Sequence, residues 1–424
     1  MRVVSDLIRD IPVPKMVRVR QNYDRSHIDR EQIPDVIRAQ LDREDILGKL
    51  KPGMRVALTC GSRGIHHYAL MTKTIVDLVK EHGANPFIVG AMGSHGGATE
   101  QGQRQILADY GITEEAMGCP IHCEMDTVKI GVCEEFGTDV RIDANAAGAD
   151  AIILFNRVKI HTSFHGPYES GLMKMMGIGL GKQPGAEIIH AVDPALMHKV
   201  VEGHGKVVLQ NANVIGGLAV VENAFDDTFK LAGMNPEQII ADEPALLLEA
   251  KAQFATLLFE DCDILVVDKI GKNISGDGMD PNVTGRFATD IQGGIRAGRI
   301  VVFDLTDETH GNAQGIGNAD VTTLRLEKKM KKEMTYPTAV TNKLLVLDKL
   351  PMVMDNDKEA LQLAIQSCYT DDVSSLRVIR ISDTAHLEDI EVSESMLDEV
   401  RANPRLEIMS ESYDWAFDEA GNLW

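Results

Sequence analysis

No stretch of this chain reaches the ~18 consecutive apolar residues that a membrane-spanning helix needs, so no span is expected. The segment from Met1 to Asp10 interleaves Arg2, Asp6, Arg9 and Asp10 with its apolar residues. It lacks the apolar core of an export signal, and a cytoplasmic protein is expected. Positive charge is scarce: 43 Lys and Arg stand against 64 Asp and Glu, a formal net charge of -21. Such a surface argues against nucleic acid or an anionic membrane as partner. It leaves room for a small anionic substrate, because a local basic pocket can outweigh the global field. The six cysteines, Cys60, Cys119, Cys123, Cys133, Cys262 and Cys368, include no C-x-x-C pair. Cys119 and Cys123 flank His122, but no second pair stands at zinc-ribbon or zinc-finger spacing. Free thiols in a reducing compartment are the expectation.

What is present is the alternation of an α/β protein. The chain has 424 residues, 44% hydrophobic and 25% charged, too many for one ordinary core. Apolar runs at Arg55–Cys60, Pro86–Met92, Ala151–Asn156, Val214–Val221, Asp263–Asp268, Ile300–Leu305, Leu344–Leu347 and Leu376–Ile381 predict strands. Amphipathic stretches at Tyr68–His82, Thr99–Tyr110, Pro244–Leu258 and Lys358–Ser367 predict helices. Continuous apolar strands alternating with such helices mean βαβ units and parallel sheets. Thr99 is placed to cap the helix after it, with Glu100 in the first turn. Two domains are expected, residues 1–258 and 259–424, each with a mainly parallel sheet flanked by helices and with the active site in the cleft between them.

Ligands of open α/β sheets sit outside the carboxyl ends of the strands. Three turns there hold chemistry-bearing residues. Gly61-Ser62-Arg63-Gly64-Ile65-His66-His67 follows the first strand, Gly93-Ser94-His95-Gly96-Gly97 the second, and Arg157-Val158-Lys159-Ile160-His161 the third. Arg63, His95 and His161 are therefore candidates for one crevice. Lys174, in Gly171-Leu172-Met173-Lys174, and His190 follow. Gly177-Ile178-Gly179-Leu180-Gly181-Lys182 looks like a phosphate loop, but Gln183 stands where a Ser or Thr is required and the glycine spacing is wrong. The glycine-rich run from His310 to Asp320 suits either a structural loop or a segment closing the cleft.

In order and context, Arg63, His95, His161, Lys174 and His190 resemble the nickel-dependent lactate racemase family, whose members use a nickel-pincer nucleotide. The resemblance is strongest between Gly61 and His190. It implies Lys174 as the covalent anchor, through a thioamide, and His190 as the one protein ligand to a nickel otherwise held by two sulfurs and a ring carbon of the cofactor. A flat four-coordinate site of that kind suits Ni²⁺. It further implies reversible hydride transfer to the cofactor, which inverts the hydroxyl-bearing C2 of a 2-hydroxy acid without a carbanion. His95 and His161 would exchange the hydroxyl proton, and Arg63 would hold the carboxylate bidentately. The first domain would carry the cofactor and the catalytic residues, and the second would close over them. Proteins that mature the cofactor are implied partners.

The chain departs from the lactate-acting pattern in two places. Thr162 to Met173 is longer than the short Gly-rich turn of those members and adds His165. The stretch Asn273 to Asp280 lacks their Tyr-Gln pair, leaving Lys272 or Arg286 as substitutes. A substrate other than lactate is therefore expected. Two other readings compete: a zinc hydrolase or lyase built on His66, His67, His95 or His161, and a non-catalytic binding protein on the same fold. Neither HExxH nor another compact ligand pair supports the zinc reading.

Overall fold

A computed structural model of the chain describes residues 2–370 and 372–424. Strand Met16–Gln21 pairs antiparallel with Asp389–Ser393 and with Leu406–Ile408. The first strand of the chain thus belongs to a sheet built otherwise from residues 261–408. The chain divides into two units accordingly: Asp24–Phe254, and Ala255–Trp424 together with the residues up to Tyr23. The expected division into 1–258 and 259–424 assumed consecutive pieces. It misassigns the N-terminal segment, because the pairing that captures Met16–Gln21 is non-local.

In the Asp24–Phe254 unit a six-stranded sheet runs Ile121–His122, Asn85–Gly90, Arg55–Cys60, Ala151–Arg157, Val214–Glu222, Thr228–Met234. The first five are mutually parallel and the last is antiparallel. Every residue from Val56 to Cys60 and from Ala151 to Phe155 is buried, as continuous apolar strands require when helices cover both faces. Helices Ile33–Arg43 and Tyr68–Glu81 bury Ile37, Leu41, Ile75 and Val79 in the same core as Leu58, Ile153 and Leu218. Thr99 caps helix Glu100–Asp109, its hydroxyl accepting from Gly102 N–H at 3.1 Å.

The second unit carries an eight-stranded sheet in the order Met352–Met354, Val321–Thr323, Arg296–Leu305, Asp261–Ile270, Val378–Ile381, Asp389–Ser393, Met16–Gln21, Leu406–Ile408. Its first five strands are parallel and the remainder antiparallel. Both units are therefore α/β with mainly parallel sheets. The strand expected at Leu344–Leu347 is instead a 3₁₀ turn, Leu345–Asp348. Leu345 is 63% exposed and Leu347 fully buried, so this short apolar run has one buried side and no strand partner. The glycine-rich run 310–320 is a packed loop: Gly315 has φ +92, and a side chain there would meet the Asp277 carbonyl. Among the described residues, no helix is long and apolar enough to cross a membrane.

Candidate functional site

Strands Asn85–Gly90, Arg55–Cys60 and Ala151–Arg157 are adjacent and parallel, so the turns bearing His95, Arg63 and His161 leave one edge of one sheet. Arg63 and His95 are exposed; His161, Lys174 and His190 are half-buried. The His95 Nδ1 shares a short hydrogen bond with the Ser62 hydroxyl, which ties the second turn to the first. His161 stacks on Phe164 with ring centroids 4.1 Å apart, and the Lys174 ammonium lies 5.6 Å from the centre of the same Phe164 ring. Burial, then the positive charge of Lys174, holds the His161 imidazole well below its usual value; Lys159, His190 and Arg63 push the same way. Arg63, Lys174 and His190 thus share one electrostatic neighbourhood with His161. Lys159, outside the set of residues expected from the sequence, belongs to it too.

Ser163 N–H donates to His161 Nδ1 at 3.0 Å. The neutral ring therefore carries its proton on Nε2. The loop after His161 is tied by Glu169, which is buried and accepts from His161 N–H at 2.7 Å and Gly166 N–H at 3.2 Å. Lys251 pairs with Glu169 at 2.6 Å. His165 is half-buried in this loop.

Lys174 ends the short helical turn Leu172–Lys174, and a turn of π-helix, Met175–Gly179, follows. Such turns are marginal alone and need outside support. Asn156 Nδ2 donates to Gly171 O at 2.8 Å. Glu243, wholly buried, accepts from Met173 N–H at 3.1 Å. Gly171 has to be glycine, since a Cβ would come within 2.2 Å of the Glu243 carboxylate.

The segment that looks like a phosphate loop has a structural use. The Lys182 ammonium is fully buried, donates to Gly90 O at 2.6 Å and Gln103 Oε1 at 3.2 Å, and lies 3.3 Å from Asp143. Gln103 in turn donates to Gly93 O at 3.0 Å and His95 O at 3.3 Å. Lys182 is therefore a strut beneath the His95 turn, and its interactions are with the protein rather than a phosphate. Burial raises the Asp143 carboxyl, and Lys182 pulls it part of the way back.

The remaining candidates are placed elsewhere. His66 and His67 stack on each other at 3.9 Å, and His66 Nδ1 lies 3.5 Å from Asp227. Cys119 and Cys123 are buried, while His122 faces Glu124 at 3.3 Å. Lys272 and Arg286 belong to the other unit, where Lys272 donates to Gly276 O and Arg286 pairs with Asp320, each at 2.5 Å. Among the described residues, no three His, Cys, Asp or Glu side chains are grouped to hold a metal ion.

No curated protein sequence matches the chain. A solved structure of the lactate racemase apoprotein from Thermoanaerobacterium thermosaccharolyticum aligns with a TM-score of 0.44 and 14% identity, covering 68% of this chain and 74% of that one. A likeness this slight carries no argument about activity or site. The family model described as a domain of unknown function, DUF362, matches residues 57–282, from within the strand before Arg63 to beyond Asp280. That match spans more than half of the chain, which belongs to the DUF362 family.

Proposed function

We propose that the chain is a racemase or epimerase acting on the hydroxyl-bearing carbon of a 2-hydroxy acid other than lactate, with a nickel-pincer nucleotide as its resident cofactor. The environment of His161 carries this reading: its ring lies on Phe164, Lys174 lies over that same ring, and the charges of His190 and Arg63 reach it. An amine for attachment, an imidazole for a metal, a guanidinium for a carboxylate and an imidazole for a hydroxyl are the groups such a reaction needs.

This donor set fits a cofactor that brings most of its metal ligands with it. Lys174 would anchor it and His190 would ligate the nickel. Bound there, the cofactor would supply a hydride acceptor, so that a weakly acidic C–H need not be deprotonated. The chain's own residues do the rest. Arg63 holds the carboxylate and fixes the face presented. His95, its Nδ1 hydrogen-bonded with the Ser62 hydroxyl, would take the hydroxyl proton on Nε2. His161, whose neutral ring carries its proton on Nε2, would donate a hydrogen bond to the same substrate oxygen, in place of the proton exchange expected of it from the sequence. The stacked Phe164 is itself buried. A zinc hydrolase would need a compact ligand group, and His66 and His67 are engaged with each other and with Asp227.

Peptide-mapping mass spectrometry tests the reading, on protein from its native source or co-produced with cofactor-maturation enzymes, with bound nickel measured alongside. A nucleotide adduct on Lys174, with nickel, is the expected result. Unmodified Lys174 in protein that has met the mature cofactor overturns it.

A further inference from the structure

We propose that helix Glu243–Gln253 is a splint that holds Lys174 and His161 in one mutual placement, with Glu243 and Lys251 as positioning residues near its two ends. The inference deepens the proposed function and rests on it for its consequence. His161 and Lys174 are the ends of a single connection of twelve residues, Thr162 to Met173. A longer connection has more conformations to lose when its ends are fixed, and the helical turn that closes this one has only three residues, Leu172–Lys174. The helix meets both ends. At its first residue, Glu243 accepts from Met173 N–H at 3.1 Å, immediately before Lys174. Eight residues on, Lys251 pairs at 2.6 Å with Glu169, whose other carboxylate oxygen accepts from His161 N–H at 2.7 Å. Tyr168 adds a tie from the same connection to the preceding helix, Pro236–Ala241, its hydroxyl donating to Ile240 O at 2.5 Å.

Eight residues of helix are ~12 Å and just over two turns, so Glu243 and Lys251 look to much the same side. That side is anchored in the interior by Leu246, Leu247 and Ala250, and a site held by a packed helix is more precise than one held by loops alone. A wholly buried carboxyl is a costly way to fill space beside a turn, because it loses its hydration. What it adds over an apolar side chain is direction. Two N–H groups aimed at one carboxyl, those of Leu172 and Met173, fix the register of the turn and hence where the Lys174 side chain leaves it. The fully buried Glu169 side chain does the same for the backbone of His161. In the proposed reaction Lys174 and His161 act about one substrate, and a misplacement of about 1 Å costs on the order of 10²-fold in rate.

The test is hydrogen–deuterium exchange of the cofactor-free full chain, read by peptide mass spectrometry over residues 161–174 and over the rest of the Asp24–Phe254 unit. The parent is compared with Glu243→Ala, Glu243→Gln, Lys251→Met and Lys251→Arg. In both Glu243→Ala and Lys251→Met, exchange is expected to rise about tenfold at both ends of 161–174, as loss of one buried polar contact allows, while the rest of the unit keeps its protection. Glu243→Gln keeps an acceptor and Lys251→Arg a cation, and each should restore much of the parent's protection. Where the parent carries the adduct, Glu243→Ala should lower its occupancy on Lys174 and Glu243→Gln should recover it. Exchange that rises only at the substituted end, or not at all, overturns the inference. So does an equal rise across the whole unit, which would mark a general loss of stability, and so does equal occupancy in the two Glu243 variants. The exchange needs no cofactor, so the two proposals fail separately. Coupled exchange with unmodified Lys174 in the parent sinks only the proposed function, and an adduct without coupled exchange sinks only this inference.

Discussion

The Glu243 carboxylate accepts the Met173 N–H at 3.1 Å from a position sealed from solvent, one residue ahead of Lys174. Burial pushes this carboxyl up to about 8, against the pull of the Met173 and Leu172 N–H groups, from an ordinary value of 4.5. The folded chain thus binds this proton more tightly than the unfolded chain. The stability it contributes is complete below about pH 4.5 and is lost as pH rises through about 8. Glu243→Gln keeps an acceptor for Met173 and removes the titration. Urea unfolding across this range should show the parent losing stability relative to the variant, on the order of a few kcal/mol at the alkaline end. Parallel curves for the two proteins would show that Glu243 does not titrate there.

Lys182→Met tests the strut under the His95 turn. It leaves Asp143 buried without its countercharge and Gln103 without a donor. Breaking a buried pair by removing one partner costs about 3–5 kcal/mol, so a large fall in thermal midpoint is expected. The double variant Lys182→Met, Asp143→Leu should recover much of it. A single variant as stable as the parent would mean that this pair does not hold the turn.

His161 is expected to remain neutral at neutral pH. Its folded value lies well below 6.5 through burial and the charges of Lys174, Lys159, His190 and Arg63. Stability from this group is therefore present above pH 6.5 and is lost as pH falls through the depressed folded value. Proton NMR of the imidazole C2–H in the cofactor-free chain should show His161 titrating well below 6.5. Lys159→Met should move it upward. Titration at or above 6.5 would contradict the packing described around Phe164.

The sequence by itself determined the α/β class of this protein. The runs around Leu58, Ile153, Val266 and Val302 are apolar at successive positions rather than alternate ones because helices cover both faces of their sheets, and that pattern needs no partner to be read. It also determined the cap at Thr99 and the three turns at the strand ends, since turns and caps depend on neighbouring residues. Tertiary structure decided what depends on distant partners. Met16–Gln21 is a strand because Asp389–Ser393 and Leu406–Ile408 lie beside it, and Leu345–Asp348 is a 3₁₀ turn because no strand does. The sequence argued against Lys182 as a phosphate ligand but gave it no other use, which only Gly90, Gln103 and Asp143 around it supply. Glu243 and Lys159 carried no local signal. One is defined by a backbone 70 residues away in the chain, and the other by the charge it brings to bear on the His161 imidazole. Burial and charge at such positions are sums over neighbours that only the folded chain brings together.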